Sequence, residues 1–269
     1  MLDQIKIVLV EPSHPGNIGG AARAMKTMGL SRLSLVNPQR FPDPQADWRA
    51  AGALDVLDTA EVVSDVAQSI ADSHFVIGTS TRLRHVPWPV ITPREIWNVL
   101  AQQPQSAQVA ILFGREDSGL TNEELQRCQC HLQIPASPVY GSLNLAMAVQ
   151  VVAYELFGGY DTRQQEQAPL YSKDSIDGVE HDGAEAEQAE TDSPLGRRIW
   201  DKPPANQQQF EGVMQQLEET LYASGFVDPN YPGYTMTRLR RMFVRQQLDQ
   251  TEVQILRGVL RRLSATKRT

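Results

Sequence analysis

Cysteine and histidine are scarce in this chain, two and five in 269 residues, and the scarcity removes several chemistries at once. Cys128 and Cys130 are separated by one residue. A disulfide between such near neighbours is strained, and no second Cys/His pair completes a zinc site. The histidines are scattered without ligand spacing, so reduced thiols and no metal site are expected. Also missing is any apolar stretch near the roughly 18 residues that a membrane span needs. The apolar run 5–10 follows Met1 almost directly, with no basic region or cleavage site ahead of it. A soluble, cytoplasmic protein without a membrane partner is the expectation. Two nucleotide fingerprints are absent as well. The segment after the first apolar run, Glu11-Pro-Ser-His-Pro-Gly-Asn-Ile-Gly-Gly-Ala-Ala-Arg23, is not G-x-G-x-x-G. Asn37 stands where an acidic ribose ligand would follow the second run, and no phosphate-binding lysine motif occurs. A nicotinamide enzyme and a P-loop NTPase are disfavoured.

A net charge of −7 argues against nucleic acid as a partner until it is divided by region. Residues 161–195 carry ten acids against Arg163 and Lys173, a local charge of −8, which leaves the rest of the chain slightly positive. Residues 236–269 carry nine Arg or Lys against Asp249 and Glu252, a local charge of +7. The acidity belongs to one segment and says little about the surface that meets a partner.

Short apolar runs at 5–10, 33–36, 61–63, 75–78, 109–114 and 132–134 read as strands. Helical patterns lie between and after them at 17–28, 64–71, 93–103, 122–128 and 143–157. Strands alternating with helices predict an α/β fold, a parallel sheet covered by helices on both faces. The last of these helices is apolar nearly all round and is expected to be buried. Residues 160–205 are rich in Gln, Glu, Asp, Ser and Ala with few apolar anchors. Such a stretch cannot offset its ordering entropy and reads as a flexible acidic linker. Beyond it, Asn206 can cap a helix carrying Phe210, Val213, Met214, Leu217 and Leu221, which Gly225 would end. A basic helical pattern from 237 to 263, broken near Asp249, completes a small all-helical extension. The expected organisation is therefore a domain over 1–159, a linker over 160–205 and the extension over 206–269.

Ligands of open parallel sheets bind outside the carboxyl ends of the strands. The loops expected there are Gly78-Thr-Ser-Thr-Arg-Leu-Arg-His85, Gly114-Arg-Glu-Asp-Ser-Gly-Leu-Thr121 and Pro135-Ala-Ser-Pro-Val-Tyr-Gly-Ser-Leu-Asn144. Each combines Gly or Pro with small hydroxyl side chains. Converging, they form a cradle of backbone amides and carbonyls that suits an uncharged purine with a short polar tail better than a triphosphate. Three of the chain's motifs, Asn17-x-Gly19-x-x-x-Arg23, Phe113-Gly-Arg-Glu-x-x-Gly-Leu-Thr121 and Ser142-Leu-Asn-Leu-x-x-Ala148, occur in an order that resembles the SPOUT superfamily of ribose 2′-O-methyltransferases. With Arg82-Leu-Arg-His-Val-Pro-Trp-Pro89 and Leu120-Thr-Asn-Glu-Glu-Leu-Gln-Arg-Cys128, the pattern is similar to the branch that methylates cytidine or uridine at the first nucleotide of the tRNA anticodon loop. The resemblance covers roughly residues 1–158 and, more loosely, the basic helices.

That resemblance implies a C-terminal trefoil knot in the α/β domain, a homodimer whose interface completes each site, and S-adenosyl-L-methionine as methyl donor to a tRNA substrate. It assigns Arg23, Ser142 and Asn144 to catalysis. Cofactor binding falls on Thr79, Ser80, Thr81, Gly114, Glu116, Ile134, Gly141, Ser142 and Leu143, where Thr81 departs from the alanine expected. Glu116 can instead brace its own loop. Asn17, Arg82, Arg84 and Arg115 are RNA-contact candidates, because phosphate neutralisation dominates such binding. An arginine is a poor general base, so Arg23 is expected to hold the reacting hydroxyl or a neighbouring phosphate. Its competing reading is a bridge at the first helix, and that of Asn17 and Gly19 is a helix cap and a tight turn. Two other functions compete: a ribosomal-RNA ribose methyltransferase of the same superfamily, and an RNA-binding module without catalysis.

Overall fold

The computed structural model describes residues 1–80, 88–139, 141–167 and 202–265. Its sheet has seven strands: β1 (Ile5–Val10), β2 (Arg32–Val36), β3 (Glu61–Val63), β4 (Phe75–Thr79), β5 (Val90–Ile91), β6 (Val109–Phe113) and β7 (Cys130–Leu132). They run in the order β3-β2-β1-β6-β4-β7-β5, and every pairing is parallel. Such a sheet is covered on both faces, and β1 shows it residue by residue. Ile5, Ile7 and Leu9 enter one core, while Val8 and Val10 enter another on the opposite face. Lys6 breaks the run on the second face, at the amino end of the sheet. Its ammonium is buried but satisfied by Asp72 at 2.9 Å, the Ser69 carbonyl at 2.9 Å and Glu61 at 3.5 Å, as a buried charge requires.

The first core is closed by α1 (Pro15–Thr27), α2 (Pro44–Ala50), α3 (Leu54–Asp58), α5 (Ile96–Leu100) and α7 (Leu145–Gln167). The second lies under α4 (Val66–Ser69) and α6 (Asn122–Leu125). Two glycines permit the tightest helix contacts. A Cβ on Gly19 would stand 2.0 Å from the Ala46 carbonyl oxygen of α2, and one on Gly20 would stand 2.9 Å from the Ala146 methyl of α7. Gly19 thus serves the packing of α1 on α2 rather than a turn. Helix α1 begins at Pro15 with His14 as its cap, so Asn17 lies inside the first turn and is not the cap.

Helix α7 departs from expectation in two ways. It continues to Gln167, into the stretch read as linker, and it is not buried all round. Leu145, Val149, Val152, Ala153 and Leu156 are in the core, whereas Met147, Tyr154 and Phe157 face outward. An apolar helix half exposed in one chain is the mark of a face that meets something else.

The C-terminal helices α8 (Gln207–Ser224), α9 (Thr235–Gln246) and α10 (Gln250–Ala265) form where the capping residues dictate. Asn206 and Gln209 make a reciprocal capping box, and Gly225 ends α8 at φ 74°. Asp249 caps α10 with Glu252. The helices are docked on the sheet domain. The Gln207 amide donates to the Ser73 carbonyl at 2.9 Å, and Gln207 Nε2 donates to the Arg127 carbonyl at 3.2 Å. Trp88 packs with Phe210, Met214 and Val244, and stacks on His131 at 5.6 Å. Its indole N–H donates to the Cys128 carbonyl at 2.8 Å. Ala205, at the end of the expected linker, is buried with Val213, Val253 and Leu260. Residues 168–201 lie outside the described residues.

Candidate active site

The strand order turns back on itself between β1 and β6, and the carboxyl ends beside that point open into a cavity of about 270 Å³. This is where ligands of open α/β sheets sit, and the size falls just below the roughly 300–1,000 Å³ usual for small-molecule pockets. Phe113, Leu120, Leu132, Leu145 and Ala148 supply apolar wall, and Thr79, Ser80 and Ser142 supply hydroxyl-bearing edges. Seven of the nine expected cofactor residues line it: Thr79, Ser80, Gly114, Glu116, Ile134, Ser142 and Leu143. Gly141 does not. A Cβ on it would stand 3.2 Å from the Ser137 carbonyl oxygen, so its place is in the fold of the preceding loop. Thr81, with Arg82 and Arg84, lies outside the described residues.

The β4 end is held by Thr79 Oγ1, which donates to the Leu112 carbonyl at 2.9 Å, and by the Ser80 amide, which donates to the Leu132 carbonyl at 3.0 Å. The β6 loop is a tight return in which Arg115 and Gly119 exchange backbone hydrogen bonds at 3.2 and 2.9 Å. Gly119 takes φ 72° to make it. A Cβ on Gly114 would stand 2.2 Å from the Gly119 carbonyl carbon, so this glycine is required by its own loop before any ligand arrives.

One polar chain ties the motif loops together. The Glu116 carboxylate accepts hydrogen bonds from the Ser13 amide at 3.1 Å, the His14 amide at 3.4 Å and Asn17 Nδ2 at 3.0 Å. Asn17 Oδ1 in turn accepts from Asn144 Nδ2 at 2.9 Å. Asn144 Oδ1 caps α7, accepting from the Ala146 amide at 3.0 Å. Burial alone would raise the Glu116 pKa, but the hydrogen bonds from Asn17, Ser13 and His14 outweigh it and hold the carboxyl below its ordinary value. Glu116 thus braces the start of α1 and not its own loop, and it also borders the cavity.

The Arg115 guanidinium is shared between Glu11, at 2.6 Å, and Glu124, at 3.0 Å, and these two carboxylates raise its pKa further. Both edges of the fork are occupied by these carboxylates. Glu11 holds this position at φ 47°, unusual for its type, and Arg115 lowers its pKa. Arg23 is not part of the cavity wall. Its side chain is exposed on α1, three residues after Gly20 at the α7 contact, with no side-chain partner among the described residues. Both cysteine thiols are free and buried, and burial pushes Cys130 up to about 12.

The apolar wall, above all Leu120, Leu145 and Ala148, was not foreseen as site, although the ends of the expected strands and helix pointed to it. The Glu11–Arg115 pair could not have been foreseen, because its members lie 104 positions apart.

These features define an α/β protein with a nucleoside-sized pocket at the carboxyl edge of a parallel sheet, whose wall residue Glu116 is tied through Asn17 to Asn144 at the start of α7. The family model of the SpoU rRNA methylases matches residues 4–154, and that of the TrmJ tRNA methyltransferase C-terminal domain matches residues 208–269. The chain belongs to the SpoU methylase family, within its TrmJ branch. It is 45% identical over 260 residues to the tRNA (cytidine/uridine-2′-O-)-methyltransferase TrmJ of Klebsiella pneumoniae, covering 97% of this chain and 96% of that protein. It is 44% identical over 261 residues to the tRNA (cytidine/uridine/adenosine-2′-O-)-methyltransferase TrmJ of Pseudomonas aeruginosa, covering 97% and 93%. The crystal structure of TrmJ from Z. mobilis superposes with a TM-score of 0.75 at 32% identity, over 96% of this chain and 98% of that one.

Proposed function

We propose that this protein methylates a ribose 2′-hydroxyl in the anticodon loop of tRNA, with S-adenosyl-L-methionine as donor. The relatives that match nearly the whole chain are tRNA 2′-O-methyltransferases by name, and the C-terminal match favours tRNA over ribosomal RNA. The observation that carries the cofactor is the charge around the cavity. Among the described residues of the wall the one arginine, Arg115, is neutralised by Glu11 and Glu124, while Glu116 and Asp117 stand beside it. Such a wall repels a polyphosphate and accepts a sulfonium cation with a purine. Bound there, S-adenosylmethionine supplies an electrophilic methyl group.

In this reading Thr79, Ser80, Ile134, Ser142 and Leu143 hold the cofactor, with Gly141 shaping the loop, and the resemblance assigns Thr81 to the same role. Asn144 is fixed at the start of α7 by its bond to Asn17, which gives Ser142 and Asn144 the fixed positions that in-line transfer demands. Asn17 acts through that bond instead of through an RNA phosphate. Arg23 has its guanidinium free for the ribose hydroxyl and a neighbouring phosphate. A guanidinium does not take a proton at neutral pH, so Arg23 acts by orientation.

Because Arg23 lies off the cavity wall, the site is completed by a second copy. The exposed Met147, Tyr154 and Phe157 stripe of α7, on the helix that packs against Gly20, is the face we assign to that homodimer. The knot belongs to the same reading, and the insertion of β7 between β4 and β5 supports it. Single-turnover transfer to a tRNA transcript, with calorimetric cofactor binding, tests the assignment. Arg23→Ala should lose essentially all turnover, and Arg23→Lys most of it, with cofactor affinity within a few-fold of the parent. Near-normal turnover in Arg23→Ala would reject the role.

A further inference from the structure

The turn between α8 and α9 leaves three aromatic rings outside the molecule: Phe226 is 72% exposed, Tyr231 84% and Tyr234 58%. Exposed aromatics on a loose loop would mean little, but the backbone of this loop is held at several points. The Phe226 amide donates to the Leu221 carbonyl at 3.1 Å beyond the left-handed Gly225. Val227 is buried, and it anchors the loop while its neighbour Phe226 points away. Asp228 accepts from the Asn230 amide at 2.8 Å and its carbonyl from the Tyr231 amide at 3.0 Å, a closed turn. Pro229 and Pro232 restrict what remains. The rings therefore meet solvent on a backbone already ordered, which lowers the entropy lost when a ligand stacks on them.

What they face is set by charge. Tyr234 leads directly into α9, and Arg238 follows one turn later, with Arg245 two turns further along the same side. Both arginines are exposed and have no side-chain partner among the described residues. Their neighbour Arg240 differs: it is bound to Glu211 at 2.6 and 2.8 Å and lies over the Phe210 ring, as part of the packing of α9 on α8. The one acid in the loop, Asp228, is engaged in the turn. Aromatic faces beside unpaired guanidinium groups are the means by which proteins take unpaired nucleotides, bases on the rings and phosphates on the cations.

We infer that the loop 226–234, with Arg238 and Arg245, is a stacking platform for unpaired nucleobases of the RNA substrate, separate from the methyl-transfer cavity. The inference rests on the tRNA reading above, and it makes the C-terminal helices a reader of single-stranded RNA as well as a source of positive charge. Double-stranded RNA offers phosphates but no free base faces, so the two contributions separate.

The experiment measures binding of the full chain to a fluorescent tRNA transcript and to a fully paired RNA of equal length, over a salt series. The variants are Phe226→Ala, Tyr231→Ala, Tyr234→Ala, Tyr231→Phe and Arg238→Ala. Loss of one stacked base should weaken tRNA binding by about tenfold, with an unchanged salt slope and unchanged duplex binding. Tyr231→Phe should bind as the parent does. Arg238→Ala should weaken both RNAs and make the slope shallower by about one contact. Cofactor titration and thermal melting show that each variant is folded. Parent-like tRNA affinity in all three alanine variants overturns the platform, as does equal loss on tRNA and duplex. A shift of oligomeric state in sedimentation, caused by the same variants, also overturns it, because the rings would then be an interface between copies. Failure of the parent itself to methylate or bind tRNA would instead bring down the reading on which the platform depends.

Discussion

Glu116→Gln probes the polar chain that joins the motif loops, with nearly no change in volume. Donors on Ser13, His14 and Asn17 converge on the carboxylate, the nearest at 3.0 Å. Glutamine keeps one acceptor oxygen and turns an amide N–H₂ toward donors that need an acceptor. A hydrogen bond to a charged group contributes about 1.5–3 kcal/mol, and because this carboxylate is partly open to water the lower end applies. The net loss should be about 2 kcal/mol, which in a protein of this size lowers Tm by about 4–8 °C. Asn17 is then released, and with it the bond that fixes Asn144, so single-turnover methyl transfer should fall together with Tm.

The sign of the pH dependence gives a second readout. The carboxyl is held below its ordinary value of 4.5 by hydrogen bonds that outweigh burial. Its contribution is therefore fully present above that value and is lost as the pH falls through the folded-state pKa. The Tm gap between the parent and Glu116→Gln should be widest at neutral pH and should close in acid. Equal melting temperatures at neutral pH, or a gap that persists unchanged into acid, would refute the role given to this network.

Gly114→Ala should destabilise the β6 loop itself, because the added methyl meets the Gly119 and Leu120 backbone at 2.2–2.3 Å. Calorimetry should show weakened cofactor binding together with a lowered Tm, and a variant with normal stability would show that the loop can yield. Trp88→Ala removes the ring shared by His131 and the Phe210–Val244 cluster. At about 2 kcal/mol for a half-buried aromatic, it should speed hydrogen exchange in α8 and α9 more than in β1 and β6, as read by mass spectrometry.

Much of the fold was legible because its strands are apolar on both faces. Each of β1, β2, β4 and β6 coincides with a run of valine, leucine and isoleucine to within a residue or so. The ends of α8 follow from Asn206 and Gly225, whose effects are local. β7 begins two residues earlier than expected because Cys130 and His131 do not read as strand. Burial of His131 depends on Trp88, a partner distant in sequence. α2 and α3 are not among the expected helices, although Asp43 before Pro44 is a helix start and does cap α2. In the site, the residues at strand ends were readable from position alone. The pairing of Arg115 with Glu11 and Glu124 was not legible, because Glu11 is brought to it only by the fold. The extension was read as tethered, yet Gln207, Arg127 and Trp88 bind it to the sheet domain.

The same segregation of charge that hides in a net of −7 divides the work of the molecule. Among the described residues around the cavity, Glu11, Glu116, Asp117 and Glu124 outnumber Arg115, and that balance favours a cationic ligand over a phosphodiester. RNA cannot be drawn into such a mouth by its backbone. It has to be held from outside, and among the described residues exposed cations for that include Arg23 beside the α7 face, Arg238 and Arg245 on α9, and Arg257 and Arg261 on α10. Only the reacting ribose then needs to approach the acidic pocket, and it carries no charge of its own. Docking of α8 through Glu211, which bridges Arg127 of the sheet domain at 3.2 Å and Arg240 of α9 at 2.6 Å, fixes those outer cations relative to the sheet. Substrate affinity should accordingly fall with salt while cofactor affinity responds weakly, since the two ligands meet opposite fields on one frame.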